Sequence, residues 1–166
     1  MFKRIVVLFI IVFAMNGCTR DDICPEGAAI TPNLVITFND FNNQNKRKKV
    51  IKLTIETDYE ESVTIFANRE TDSIAIPLNV NSEITKYRFI RTTTIENEDP
   101  VVNVDRITFV YNREDKYVNR ACGYRTEYSD FDTVLEDEGS DNWIKDFKIK
   151  RDKIVDEKQA HLTILH

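Results

Sequence analysis

Histidine is nearly missing from this 166-residue chain: only His161 and His166 occur, and neither sits in an HExxH or zinc-finger spacing. Chemistry that needs an imidazole base has little to draw on. Ser62, Ser73, Ser82, Ser129 and Ser140 all lack the GxSxG setting of an activated serine, which weakens the case for a hydrolytic triad further. Glycine is as sparse. Beyond residue 18 it occurs only as Gly27, Gly123 and Gly139, each isolated, so no phosphate-cradling loop or dinucleotide fingerprint can be built and nucleotide binding by those routes is excluded. No stretch of twelve or more residues carries a helical 3.6-residue stripe. With 42% apolar residues and four prolines, the chain is neither disordered nor collagenous, which leaves one globular domain with a sizeable core.

The long apolar run that does exist lies at the N-terminus. Lys3 and Arg4 precede the apolar segment from Ile5 to Ala14, which is too short to cross a ~30 Å hydrocarbon layer as a permanent helix and reads as an export signal. Met15, Asn16, Gly17 and Cys18 follow, a small residue directly before a cysteine, which resembles the lipobox of bacterial lipoproteins. That resemblance implies cleavage before Cys18 and acylation, palmitate included, of the new N-terminal residue. Several chains are needed because one acyl chain holds a protein only marginally, at ~0.8 kcal/mol per buried methylene. Thr19, Arg20, Asp21 and Asp22 are similar to the tract that sends lipoproteins of bacteroidete bacteria to the outer face of the outer membrane. The expected organisation is a signal peptide over residues 1–17, a lipidated tether over 18–32 leading into the first strand, and a folded domain over 33–166. The expected location is the outer membrane, lipid-anchored, on its periplasmic or cell-surface face.

The formal charge is −5, and removal of residues 1–17 takes Lys3 and Arg4 with it, so the 23 basic side chains fall to 21 against 28 acidic ones, a balance of −7. An acidic body repels nucleic acid and anionic lipid alike. Membrane association through the lipid anchor and a protein partner in the envelope are therefore expected; nucleic acid and nucleotide are not.

Three cysteines are an odd number for an exported chain until Cys18 is assigned to the lipid. Cys24 and Cys122 then remain, and in an oxidising compartment a disulfide between them closes a loop of 98 residues; two buried thiols are the alternative. Neither cysteine has a CxxC partner or a nearby histidine to make it reactive.

The body alternates with period two. Leu34, Ile36 and Phe38 share one face, and the scheme recurs at Ile51, Leu53 and Ile55, at Val63 and Ile65, at Ile74, Ile76 and Leu78, and at Tyr87 and Phe89. Ile107, Phe109 and Tyr111 repeat it, as do Phe147 with Ile149 and Leu162 with Ile164. Turn-forming tracts at Asn39 to Asn45, Asn79 to Ser82, Asn97 to Pro100 and Glu136 to Asn142 separate the runs. About eight short strands without crossover helices predict an all-β, single antiparallel β-sandwich, immunoglobulin-like or a similar Greek key.

Candidate chemistry is thin. Glu136, Glu138 and Asp141 make the densest acidic cluster and the best oxygen ligands for calcium, yet an EF-hand register centred on Gly139 puts Val134 first and Lys145 twelfth and fails. No metal or cofactor is expected. Lys46, Arg47, Lys48 and Lys49 form the opposite cluster, read as a turn beside the second strand that discourages edge pairing, with anion or lipid-headgroup contact as the functional alternative. Trp143, with Tyr124, Tyr128 and Phe131, could form a sugar-stacking platform, although a single tryptophan in a β domain is more often core. Ser73 in Asp72-Ser73-Ile74 and Thr133 in Asp132-Thr133-Val134 are similar to three-residue O-glycosylation sites of bacteroidete periplasmic proteins.

Cys18 with Asp21-Asp22-Ile23-Cys24-Pro25-Glu26-Gly27, Asp72 to Leu78, Tyr117 to Gly123 and Asn142-Trp143-Ile144, in that order, resemble a family of small bacteroidete envelope lipoproteins of unknown function. The resemblance implies an anchor and a compartment, pairs Cys24 with Cys122, and transfers no catalytic residue. The expected role is non-catalytic binding or scaffolding in the cell envelope; a carbohydrate-handling accessory, either a glycan binder or a weak hydrolase, is the alternative.

Overall fold

The computed structural model describes residues 23–94 and 99–166, so the signal segment and Cys18 lie outside the described residues. Nine strands follow one another: β1 (Leu34–Asn39), β2 (Val50–Thr57), β3 (Thr64–Thr71), β4 (Ser73–Ile76), β5 (Ile84–Thr93), β6 (Val101–Asn119), β7 (Gly123–Leu135), β8 (Asp146–Ile149) and β9 (Leu162–Leu165). They form a four-stranded sheet ordered β4-β1-β9-β8 and a five-stranded sheet ordered β3-β2-β5-β6-β7. The helical structure among the described residues is a single 3-10 turn at Gly139–Asp141, in the tract read from the sequence as a turn.

The sandwich forms because alternate residues of both sheets are apolar and meet in one core. Leu34, Ile36 and Phe38 of β1, Ile74 and Ile76 of β4, and Leu162 and Ile164 of β9 pack against Leu53, Ile55, Tyr87, Phe89, Ile107, Phe109, Tyr111, Tyr128 and Phe131 from the larger sheet. Most of these side chains are inaccessible to solvent, and each contributes roughly 1.5–3 kcal/mol relative to exposure. Tyrosines enter this core because their hydroxyls find carbonyls: Tyr87 donates to Pro77 O at 2.6 Å and Tyr128 to Leu78 O at 3.3 Å.

Two features depart from simple alternation. β1 pairs antiparallel with β4 (Leu34↔Ile76) but parallel with β9 (Ile36↔Leu162), so the first and last strands lie side by side in the same direction. In the β2–β3 ladder the register shifts between Val50 and Leu53 and again between Leu53 and Ile55. Lys52 (φ 51°) and Asn68 (φ 45°) occupy the left-handed region at these shifts, and Asp130 does the same in β7 (φ 51°). The extra residue at Lys52 turns Val50 inward and leaves Ile51 60% exposed, so Ile51 does not share the face of Leu53 and Ile55 as the bare alternation predicts.

The chain divides into two units. Thr31–Asp115 with Thr126–His166 carry the sandwich core. The other unit comprises, among the described residues, 23–30 and Lys116–Arg125 at the β6–β7 turn, and it contains the Cys24–Cys122 disulfide, with sulfurs 1.98 Å apart. Within this unit Tyr117 and Tyr124 meet edge to face at 5.4 Å and both are largely exposed.

Candidate functional site

β2 leaves the Lys46–Lys49 turn beside the end of β5, with Leu53 opposite Arg91 in the ladder. Here the larger unit opens a cleft of about 390 Å³ whose lining includes Lys48, Lys49, Lys52, Arg91, His166 and the consecutive threonines 92–94. Four permanent cations border it, and among the described residues no aspartate or glutamate lines it. The bulge is what brings Lys52 to the rim: three residues of β2 span the distance that two span on β3, and the side chain is re-aimed at the price of a left-handed backbone.

Arg91 shares the strand parity of the buried Tyr87 and Phe89, so its stem points into the sandwich and its guanidinium must find support there. Trp143 supplies it, with the guanidinium carbon 5.3 Å from the indole centroid, a cation–π arrangement that fixes an otherwise mobile side chain. The indole is itself held, since its Nε1 donates to Phe89 O at 3.1 Å and its edge meets the His166 ring at 5.7 Å. Beneath lies Asp105, a fully buried carboxylate that accepts the backbone N–H of Ile144 at 2.7 Å and of Trp143 at 3.4 Å. Burial pushes the Asp105 carboxyl above the usual carboxylate range, opposed by these two N–H groups, the Asn142 side chain and the charge of Arg91.

His166 is almost closed off from solvent, and its burial lowers its pKa, so the neutral imidazole is favoured. Its Nε2 lies 3.2 Å from Lys48 O; a carbonyl can only accept, which puts the proton of the neutral ring on Nε2. The Lys48 ammonium donates to His166 O at 2.7 Å and stands 3.6 Å from Asp40; Lys49 stands 3.3 Å from Glu70. Lys52 donates to Thr94 Oγ1, and neither Lys52 nor Arg91 forms an ion pair with a carboxylate among the described residues. The arrangement attracts anions through four charges and offers hydroxyl groups to orient them.

The residues singled out from the sequence are distributed differently from the expectations. Trp143 is 2% exposed, which corrects its reading as a possible glycan contact: the ring is a buried shelf under Arg91 and presents no face to a sugar. Tyr128 and Phe131 are also core, which leaves Tyr124 alone of that set on the surface, in the other unit. Glu136 and Glu138 do not converge with Asp141 on a cation; both reach Arg106, at 3.9 and 3.4 Å, and Asp141 accepts from Ser140 Oγ. Among the described residues no group of three or more histidine, cysteine or acidic side chains is arranged to hold a metal. The Thr133 hydroxyl is buried without a partner, so the folded strand does not present it for glycosylation, whereas Ser73 is exposed with its hydroxyl donating to Ile36 O at 3.2 Å. His161 and His166 are both buried. Cys18 lies outside the described residues.

Lys48 and Lys49 were visible in the sequence as part of a basic run with anion contact as one reading. Lys52, Arg91 and His166 were not. Arg91 did leave a signal, a charged residue on the inward parity of a strand; Lys52 left none, because a bulge is set by the partner strand.

Residues 52–166 match the family described as a family of unknown function, DUF6452. No curated protein and no solved structure matches the chain. The matched span holds Lys52, Arg91 and His166 of the cleft, the buried Asp105 and Trp143, and Cys122 but not Cys24.

Proposed function

We propose that this chain, which belongs to DUF6452, is a lipid-anchored protein of the bacteroidete outer membrane that binds or scaffolds on the periplasmic or cell-surface face without turnover. The observation that carries the reading is the Cys24–Cys122 disulfide. A disulfide between the start of the body and a distant turn is the mark of an oxidising compartment, and with those two sulfurs joined Cys18 is the one cysteine left to take a lipid. The spacing supports an anchoring role as well. Cys24 lies six positions after Cys18, a stretch that at full extension spans about 20 Å, so the disulfide holds the β6–β7 turn within that reach of the acylated residue. Tyr117 and Tyr124, exposed at that turn, are residues of the kind that settle at a membrane–water interface. The scarcity of histidine and of activated serine favours binding over catalysis. Ser73 is the site at which a surface glycan fits the fold, and an envelope protein is the expected partner.

Intact mass spectrometry of the protein extracted from membranes tests the anchor. The expected species begins at Cys18 and carries acyl chains, and Cys18→Ser shifts the protein out of the membrane fraction. An unprocessed chain beginning at Met1 and recovered in the soluble fraction overturns the proposal.

A further inference from the structure

We propose that the cleft of Lys48, Lys49, Lys52, Arg91, the threonines 92–94 and His166 is a binding site for a phosphate-bearing ligand with at least two negative charges. The site lies wholly within Thr31–Asp115 and Thr126–His166, so it stands independently of the anchoring proposal.

Four observations converge. The lining carries four permanent cations in a protein whose formal charge is −5, so the positive charge is local and runs against the composition. Two of the four, Lys52 and Arg91, have no carboxylate within ion-pair distance among the described residues. The carboxylates facing the other two, Asp40 and Glu70, are outside the lining, and such solvent-exposed pairs are weak enough for an incoming dianion to replace. Arg91 is pre-set in place by Trp143, and its Nε is buried with no hydrogen-bond partner, so the fold does not satisfy the guanidinium, a group whose planar fork matches phosphate oxygens. Finally, Lys52 adopts φ 51° inside a strand, a conformation that disfavours any residue with a Cβ; the fold places a lysine where glycine would be easier, and the residue it brings to the rim is a cation.

The volume selects among anions. About 390 Å³ is far more than a halide needs and falls in the range of small-molecule sites. Thr92, Thr93 and Thr94 are in the lining, and a threonine hydroxyl that faces the cleft can donate to a phosphate oxygen. A phosphomonoester, a diphosphate and the phosphate of a lipid headgroup share this chemistry; Val50 and Ile51 in the lining could accompany either an organic ester or the start of an acyl chain.

Calorimetric titration of the full chain distinguishes them, with inorganic pyrophosphate as one probe and monomeric dihexanoyl phosphatidate as the other, each repeated at raised sodium chloride. Binding of pyrophosphate at least as tight as that of phosphatidate identifies a free phosphate compound as the source; tighter binding of phosphatidate identifies a headgroup. In either case Lys52→Gly lowers affinity at least tenfold while the melting temperature holds or rises, because glycine is at ease at that backbone position. Arg91→Gln lowers affinity by a similar factor, and should it fail to fold, Lys52→Gly alone decides. No binding of either probe at millimolar concentration, or equal binding by wild type and Lys52→Gly, overturns the proposal.

Discussion

His161 carries a consequence out of proportion to its size. The ring is fully buried beside β1, Nδ1 accepts the Val35 N–H at 3.1 Å, and Nε2 is buried with no partner. Burial above all, then the nearby charge of Arg151, lowers its pKa from 6.5, so the fold holds the neutral ring. The unfolded chain takes up a proton near pH 6.5 and thus binds more protons below that value than the folded chain does. Stability contributed by the neutral ring is full above pH 6.5 and declines as pH falls through and below it, by at most about 1.4 kcal/mol per pH unit for one histidine. His166 is shifted the same way by its burial and adds to the slope. Urea midpoints measured from pH 7.5 down to pH 5 are expected to fall, and to fall less steeply in His161→Gln; equal slopes in the two proteins would show that the proton goes elsewhere.

At the level of elements, the β6–β7 turn is fastened by a single covalent link to residue 24. The chain-entropy relation gives a closed loop of 98 residues about 4 to 5 kcal/mol, a large fraction of the roughly 5–15 kcal/mol that holds a typical domain folded. Cys24→Ser with Cys122→Ser is expected to lower the unfolding free energy measured in urea by an amount on the order of that figure, and reductant is expected to bring the wild type to the same value; an unfolding free energy unmoved by either treatment contradicts this. The strands themselves were legible where parity is unbroken: Leu34, Ile36 and Phe38, or Ile107, Phe109 and Tyr111, face the core as their alternation requires. They were illegible at the bulges. Thr126 and Tyr128 face inward, but the left-handed Asp130 makes Phe131 rather than residue 130 the next inward side chain, so β7 does not announce itself by a period of two. Lys52 hides the true face of Ile51 in the same way.

For the molecule as a whole, the sandwich followed from the spacing of apolar runs, but the neighbour relations did not. Nothing local in Leu162 or Ile164 says that they lie parallel to Ile36 and Phe38, because that pairing is set by how the whole core closes. The cleft was hidden for the same reason: Lys48, Arg91 and His166 are far apart in sequence and meet only through β2, β5 and the end of β9. β9 is indispensable to this closure. Leu162, Ile164 and Leu165 are each wholly buried, and losing such side chains costs about 2–5 kcal/mol apiece, so together they match the entire stability of a typical domain. Truncation after residue 161 is expected to abolish the cooperative unfolding transition seen by circular dichroism; a truncated chain that still melts sharply would assign β9 a minor role.

The position of β9 between β1 and β8 also sets a timetable. Thr37 and its neighbour Thr163 are 126 residues apart, so a ribosome adding about 5–20 residues per second leaves β1 waiting roughly 6 to 25 s for the strand that flanks it. Throughout that interval the smaller sheet has a gap at its middle, and its core cannot close until β9 is made.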